Sequence, residues 1–151
     1  MTEIEITEDQ REYARKLAMD VYEDKKDSHI DKGAHAQQNP EEIELVGFLG
    51  ETVYADYQGF DRPELYEGET DPGYDFKLDD GTTIDVKSSD RGKDLILFPS
   101  DKGDLPDRLV RVYIEDEETA RVTLDVSREH FIQNCETRNL GYGDRLFLPA
   151  D

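Results

Sequence analysis

Apolar positions along the chain change their period several times, and each change marks an expected element. From Glu8 to Asp24, Tyr13, Leu17 and Val21 recur every four residues with Ala14, Ala18 and Tyr22 beside them, which predicts a helix with one apolar face. Thr7, followed three residues later by Gln10, is a capping-box start. Lys25 to Gln38 is polar, contains Gly33, His29 and His35, and reads as a linker loop. A second helix is announced by Asn39 as N-cap, Pro40 at the first helical position, and Glu41 and Glu42 at the positive end of the dipole. It runs through Leu45-Val46-Gly47-Phe48-Leu49-Gly50-Glu51 to Tyr57, with Gly59 ending it. Being apolar nearly all round, it is expected to be buried against a sheet. Gly47 and Gly50 each cost about 1 kcal/mol relative to Ala inside a helix, which points to a neighbouring backbone in close approach.

Asp61 to Gly73 holds Pro63, Pro72, Gly68 and Gly73, shows no period and is expected to be a long loop. Beyond it the period becomes two. Tyr74 to Leu78 alternates, Asp79-Asp80-Gly81 turns, and Thr82 to Ser88 returns as the second arm of a hairpin. Leu95 to Phe98 is a continuous apolar run stopped by Pro99, as a buried strand would be. Leu109 to Glu115 and Thr119 to Val126 form a second hairpin about Asp116-Glu117-Glu118. Ser127 caps a helix expected to run through Arg138, Gly141-Tyr142-Gly143 turns, and Arg145 to Leu148 is a last short strand.

With 151 residues, 35% of them hydrophobic and 37% charged, the chain has apolar material for one core and little more. No run approaches the roughly 18 apolar residues of a membrane span, and the acidic start has no secretory-signal order, so a cytoplasmic protein is expected. The lone Cys135 excludes an internal disulfide and a zinc cluster. Charge changes the picture most: 38 acidic against 18 basic side chains give −20, against a magnitude of about 2–8 for an ordinary small domain. Patterned aromatic segments argue against disorder. A halophilic host is expected to account for the excess, because at about 1 M salt the Debye length is only about 3 Å. The first 75 residues hold 21 acidic and 7 basic side chains, the remainder 17 and 11, so any anion-binding face belongs to the second half.

Alternate residues of a strand share a face. With Phe76, Leu78, Ile84 and Val86 turned to one side, Asp75, Asp85 and Lys87 are expected together on the other. Hard cations such as Mg2+ or Mn2+ take one or two carboxylates plus water and phosphate oxygens. A cation so held polarises a phosphodiester and acidifies a water, while a nearby ammonium offsets the charge that develops. Glu51 is the natural fourth member, lying in a helix stripe with Glu44, Gly47 and Ala55 whose small residues leave its carboxylate room. Lys77, Ser88, Ser89, Arg91 and Lys93 follow in the same part of the chain as candidate DNA contacts.

Glu51 on a helix, then Asp75, then Ile84-Asp85-Val86-Lys87, resembles the PD-(D/E)XK nuclease superfamily, and the likeness covers roughly residues 39 to 149. Gly47-Phe48-Leu49-Gly50-Glu51, Gly73-Tyr74-Asp75-Phe76 and Ile84 to Ser89 look like stretches of small nuclease-like proteins in phage and archaeal viral genomes. The resemblance implies an α/β, restriction-endonuclease-like αβββαβ core, with a central mixed sheet flanked by helices and an extra N-terminal helix. Residues 1–38 would be that helix and a polar linker packed on the core, and 39–151 the nuclease-like domain. It implies Asp75, Asp85 and Glu51 as metal ligands, Lys87 serving the attacking water, DNA as the partner, and the dimerisation common among such nucleases. Two departures stand out. Tyr74, not Pro, precedes Asp75, and the Ser100 to Asp107 connection is too short for a full helix, which would make the helix at Ser127 the second core helix.

Acid-x-Lys alone is weak in so acidic a chain, since it also occurs at Glu23-Asp24-Lys25 and Asp75-Phe76-Lys77. Two other readings stay open: the same fold with its chemistry lost, serving as an accessory or binding protein, and an acidic DNA mimic.

Overall fold

The structure is a computed structural model and describes residues 2–25, 40–64, 74–139, 141 and 143–150, with side chains for all of these except 22–25 and 40–44. The linker with His29 and His35, the cap Asn39 and most of the 61–73 loop lie outside the described residues.

Strand β1 (Thr2–Glu5) leads into helix α1 (Glu8–Lys25), and helix α2 covers Pro40–Gln58. Strands β2 (Phe76–Lys77), β3 (Thr83–Ser89) and β4 (Leu95–Leu97) precede a 3-10 helix at Pro99–Asp104. Strands β5 (Arg108–Ile114) and β6 (Thr119–Ser127), helix α3 (Arg128–Asn134) and strands β7 (Glu136–Asn139) and β8 (Asp144–Leu148) complete the order. The five strands β1-β6-β5-β3-β2 form a mixed sheet whose one parallel pair is β3 with β5, and β4-β8-β7 form a second, antiparallel sheet. This is a mixed α/β architecture of helices, central sheet and a smaller sheet layer. No helix among the described residues is long and apolar enough to cross a membrane.

Local chemistry explains most of the boundaries. Thr7 N–H donates to Gln10 Oε1 at 2.9 Å and Gln10 N–H to Thr7 Oγ1 at 3.2 Å, closing the expected capping box at α1. Gln10 is buried and its amide donates to Asp56 on α2 at 2.9 Å, so the cap also ties the two helices together. Helix α2 ends at Gly59, whose φ of +79° is left-handed backbone that glycine alone adopts freely. Gly81, at φ +92°, does the same in the β2–β3 turn.

Two apolar clusters lie on opposite faces of the central sheet. On the helix face, Ala14, Leu49, Val53, Tyr54 and Ala55 meet Phe76, Ile84, Val86, Val110, Val112 and Ile114. On the other face, Leu109 meets Leu95, Leu97, Leu105, Phe131, Leu146 and Leu148. Each large side chain so buried contributes about 1.5–3 kcal/mol. Tyr54 is fully buried and its hydroxyl is satisfied, donating to Asp125 at 3.3 Å and accepting from Arg108 at 3.1 Å. Arg108 in turn holds Asp125 at 2.7 Å, and the loss of solvent around the phenol, with the Asp125 charge, pushes the Tyr54 pKa up to about 12.

Two expectations need correction, and one strand carried no expectation at all. Before α1, β1 pairs with β6 and Ile6 is buried, so the N-terminal region supplies an edge strand of the main sheet. The run at Leu95–Leu97 is a buried strand but joins β8 in the second sheet and not β3 or β5. The helix capped by Ser127, whose Oγ accepts the His130 N–H at 3.1 Å, stops at Asn134 and does not run to Arg138. Cys135, four residues past Phe131, still packs on the same core but already has extended backbone as the C-cap, and Glu136–Asn139 pairs with β8 instead. There Arg138 lies over the Phe147 ring at 4.0 Å. The crossover from β3 to its parallel neighbour β5 passes through β4 and the 3-10 helix, while α3 follows β6.

Candidate functional site

Strand β3 buries Ile84 and Val86 on the helix face, so Asp85 and Lys87 point to the opposite face. The Lys87 ammonium lies 3.0 Å from Asp85 Oδ2. Asp75 joins them from a strand that is shorter than expected. Strand β2 pairs only through Phe76 and Lys77, and Asp75 sits just before it, donating its N–H to Ile84 O at 2.9 Å. Its Oδ2 accepts the Val86 N–H at 2.7 Å, continuing the ladder with a side chain where the backbone leaves off. Asp75 is therefore an edge group, reachable from both faces of the sheet.

Glu51 reaches it from the helix side. A methyl group added at Gly50 would overlap Ser88 Oγ and stand 2.6 Å from Ser88 Cβ, so α2 lies on β3 at a distance only glycine permits. Gly47 has no such neighbour, so of the two helix glycines Gly50 alone marks the close approach. Asp85 and Glu51 both come within hydrogen-bonding reach of Asp75. Burial, then the negative charges of Glu51 and Asp85, then hydrogen bonds to both, hold the Asp75 carboxyl well above the ordinary carboxylate range. Without a cation this cluster keeps a proton at neutral pH. Burial acts to depress the Lys87 pKa, but the charge and hydrogen bond of Asp85, with the charges of Asp75 and Asp101, leave it above its usual value. Lys87 is thus a cation whose side chain stays 45% exposed.

These groups open into a cleft of about 320 Å³ lined by Glu51, Tyr74, Asp75, Asp85, Lys87 and, from the 3-10 helix, Asp101 and Asp104. All four expected catalytic residues, Glu51, Asp75, Asp85 and Lys87, come together. Asp101 and Asp104 were not legible as site residues, because nothing in the Pro99 to Asp104 stretch indicates that it folds back over the β3 edge.

The other expected contacts divide. Lys77 lines a neighbouring cavity of about 610 Å³ with Asp75, Arg62 and Asp79. Ser88 is a correction: it faces α2, its Oγ is sealed under Gly50 with no hydrogen-bond partner, and it cannot donate to DNA. Ser89 Oγ accepts the Arg91 N–H at 3.0 Å in an exposed turn. Arg91 is open to solvent beside Asp90 at 4.0 Å, and Lys93 stands 5.6 Å over the Tyr113 ring.

The donor chemistry fits a hard divalent cation only in part. Three carboxylates meet at one edge, as oxygen-ligated Mg2+ or Mn2+ needs, yet among the described residues no three are disposed as a finished ligand set. Mg2+ commonly takes one or two carboxylates and completes its shell with water and phosphate oxygens, which suits a cluster open on one side. No family model, curated protein or solved structure matches the chain.

Proposed function

We propose that the chain is a divalent-cation-dependent nuclease of the PD-(D/E)XK type, hydrolysing phosphodiester bonds in DNA. One observation carries the reading: three carboxylates and an ammonium converge on a cleft at the edge of β3, in a chain whose Asp-Val-Lys stretch lies in that strand. The order of α2, a β2–β3 hairpin and a parallel β5 supports a restriction-endonuclease-like core.

Asp75, Asp85 and Glu51 would hold Mg2+ or Mn2+, which when bound supplies a polarised phosphate and an acidified water. Asp75 is fixed for that purpose by the Val86 N–H, and a proton shared with its neighbours would have to leave when a cation binds. Lys87, held at 3.0 Å by Asp85, would orient a water on the open side of the cluster and offset negative charge on the phosphate oxygens. Leu97, Leu105, Pro106 and Leu109 form the apolar wall of the cleft and keep bulk water from one side of it. At molar salt the counterion-release contribution to DNA binding is small, so a net charge of −20 is compatible with a DNA substrate.

The test is cleavage of single-stranded, duplex and branched DNA in molar KCl with Mg2+ or Mn2+. Lys87→Ala and Asp85→Ala are expected to lower the rate by about 10²–10³-fold with folding intact. A folded protein that cleaves none of these under either metal overturns the reading. The lack of a finished three-carboxylate set favours one alternative, a binding protein on the same scaffold. Metal-independent DNA binding without cleavage would establish that alternative.

A further inference from the structure

We propose that Arg111, with Lys87 beside it, forms an anion subsite on the second-sheet side of the central sheet that takes a phosphate group. The proposal deepens the nuclease reading by placing a second phosphate next to the reacting one, and rests on that reading only for the strand that carries it. In the parallel β3–β5 ladder, Asp85 is in register with Leu109, and Lys87 with Arg111. Registered residues of neighbouring strands point to the same side. Asp85 and Leu109 both line the cleft, so Lys87 and Arg111 form the next rung, two residues or about 6.6 Å along the strands.

Arg111 is nine-tenths buried, and its Nε is shut off from solvent with no acceptor. Among the described residues its guanidinium makes no hydrogen bond and no ion pair. Acids are not in short supply, with 38 against 18 basic residues. Arg62, Arg108 and Arg138 each hold a carboxylate at 2.7 Å, and Arg121 holds one at 3.1 Å. The carboxylate whose charge acts on Arg111 is Asp94, and its Oδ1 already accepts the Ala150 N–H at 2.8 Å. A buried, unpaired guanidinium is costly to keep, and folding alone gives no reason to keep it. Its planar fork matches two oxygens of a phosphate. Lys93, over the Tyr113 ring one rung further along, extends the positive strip away from the carboxylates.

The test uses the full chain in molar KCl with EDTA, so that no cleavage occurs and the outcome is independent of catalysis. Thermal melting is followed with inorganic phosphate and, separately, with a short single-stranded oligonucleotide. Wild type is expected to melt higher with added ligand. Arg111→Met is expected to melt higher than wild type without ligand and to lose about tenfold or more in ligand affinity. Arg111→Lys, which keeps the charge but not the fork, is expected to fall between them and serves if the Met variant does not fold. A response to phosphate alone assigns the subsite to a free phosphate, and a response to both assigns it to a nucleic-acid strand. No response in wild type, or an equal response in the Arg111 variants, overturns the proposal. Loss of cleavage in the nuclease assay with these responses intact would sink the nuclease reading and leave the subsite standing.

Discussion

Exchanging the glycine between α2 and β3 tests how the carboxylate cluster is assembled. A Cβ at position 50 would meet Ser88 Cβ at 2.6 Å and Val112 Cβ at 3.6 Å, and would overlap Ser88 Oγ. The Ser88 contact is about 1 Å inside ordinary carbon–carbon separation. Both atoms sit directly on backbone, so no rotamer change relieves it. Gly50→Ala gains about 1 kcal/mol of helix propensity and loses more than that to overpacking, commonly 1–3 kcal/mol and larger where backbone must move. We expect a net loss of about 2 kcal/mol, or roughly 4–8 °C in Tm for a chain of this size. Ser88→Gly removes both the obstacle and a buried hydroxyl that has no partner. It costs about 0.5–1 kcal/mol of strand propensity and returns part of the penalty for that hydroxyl. The double variant Gly50→Ala/Ser88→Gly is therefore expected to recover most of the loss, with a coupling of about 1–2 kcal/mol in a double-mutant cycle. Urea unfolding in molar KCl reads all four proteins. Additive effects, or a Gly50→Ala variant within about 0.5 kcal/mol of wild type, would refute the close approach that brings Glu51 to the sheet edge.

Asp75→Asn keeps an acceptor for the Val86 N–H and removes the retained proton. Because the native pKa of Asp75 is raised, the folded state binds that proton more tightly than the unfolded chain. Its contribution is complete below the ordinary aspartate pKa of about 4 and is lost as pH rises toward the native value. Metal-free wild type should therefore lose stability between pH 5 and pH 8 more steeply than Asp75→Asn, in urea titrations at fixed salt; parallel slopes would count against a shared proton. Mn2+ should stabilise wild type more at pH 8 than at pH 6 and release a proton on binding, as calorimetry in two buffers of different ionisation enthalpy would show. Tyr54→Phe leaves the Arg108–Asp125 pair and removes a hydroxyl bonded to both, for an expected loss of about 1 kcal/mol in the same unfolding assay. With the Tyr54 pKa at about 12, that residue's contribution persists to pH 10 and declines above it, and ultraviolet titration of the folded protein should show one phenol ionising last.

Periodicity carried the fold as far as local pattern reaches. The α1 capping box, the extent of α2, the β2–β3 turn and the facing of Ile84 and Val86 against Asp85 and Lys87 all follow from spacing and cap chemistry, which act over a few residues. What spacing cannot show is a change of phase inside an element. In β6, Ala120, Val122, Leu124 and Val126 alternate without interruption, yet Ala120 and Val122 pack toward the helices and Leu124 and Val126 toward the second sheet. The register between β5 and β6 slips there, pairing Arg111 with Leu124 and Val112 with Val122. Thr123 is left over as a bulge, its Oγ1 donating to Lys93 O at 2.7 Å. One extra residue thus gives a single strand two apolar faces. The slip adds Leu124 and Val126 to the core under the second sheet, and Leu97 in that sheet in turn lines the cleft beside Asp85. The position of Asp75 depends on pairing as well. Alternation assigned it a face, whereas the two-residue β2 leaves it at an edge, where one carboxylate can meet Glu51 from one side and Asp85 from the other. An aspartate confined to either face could not meet both, so the convergence depends on the shortness of β2, a property of pairing that the sequence of Tyr74 to Leu78 does not encode.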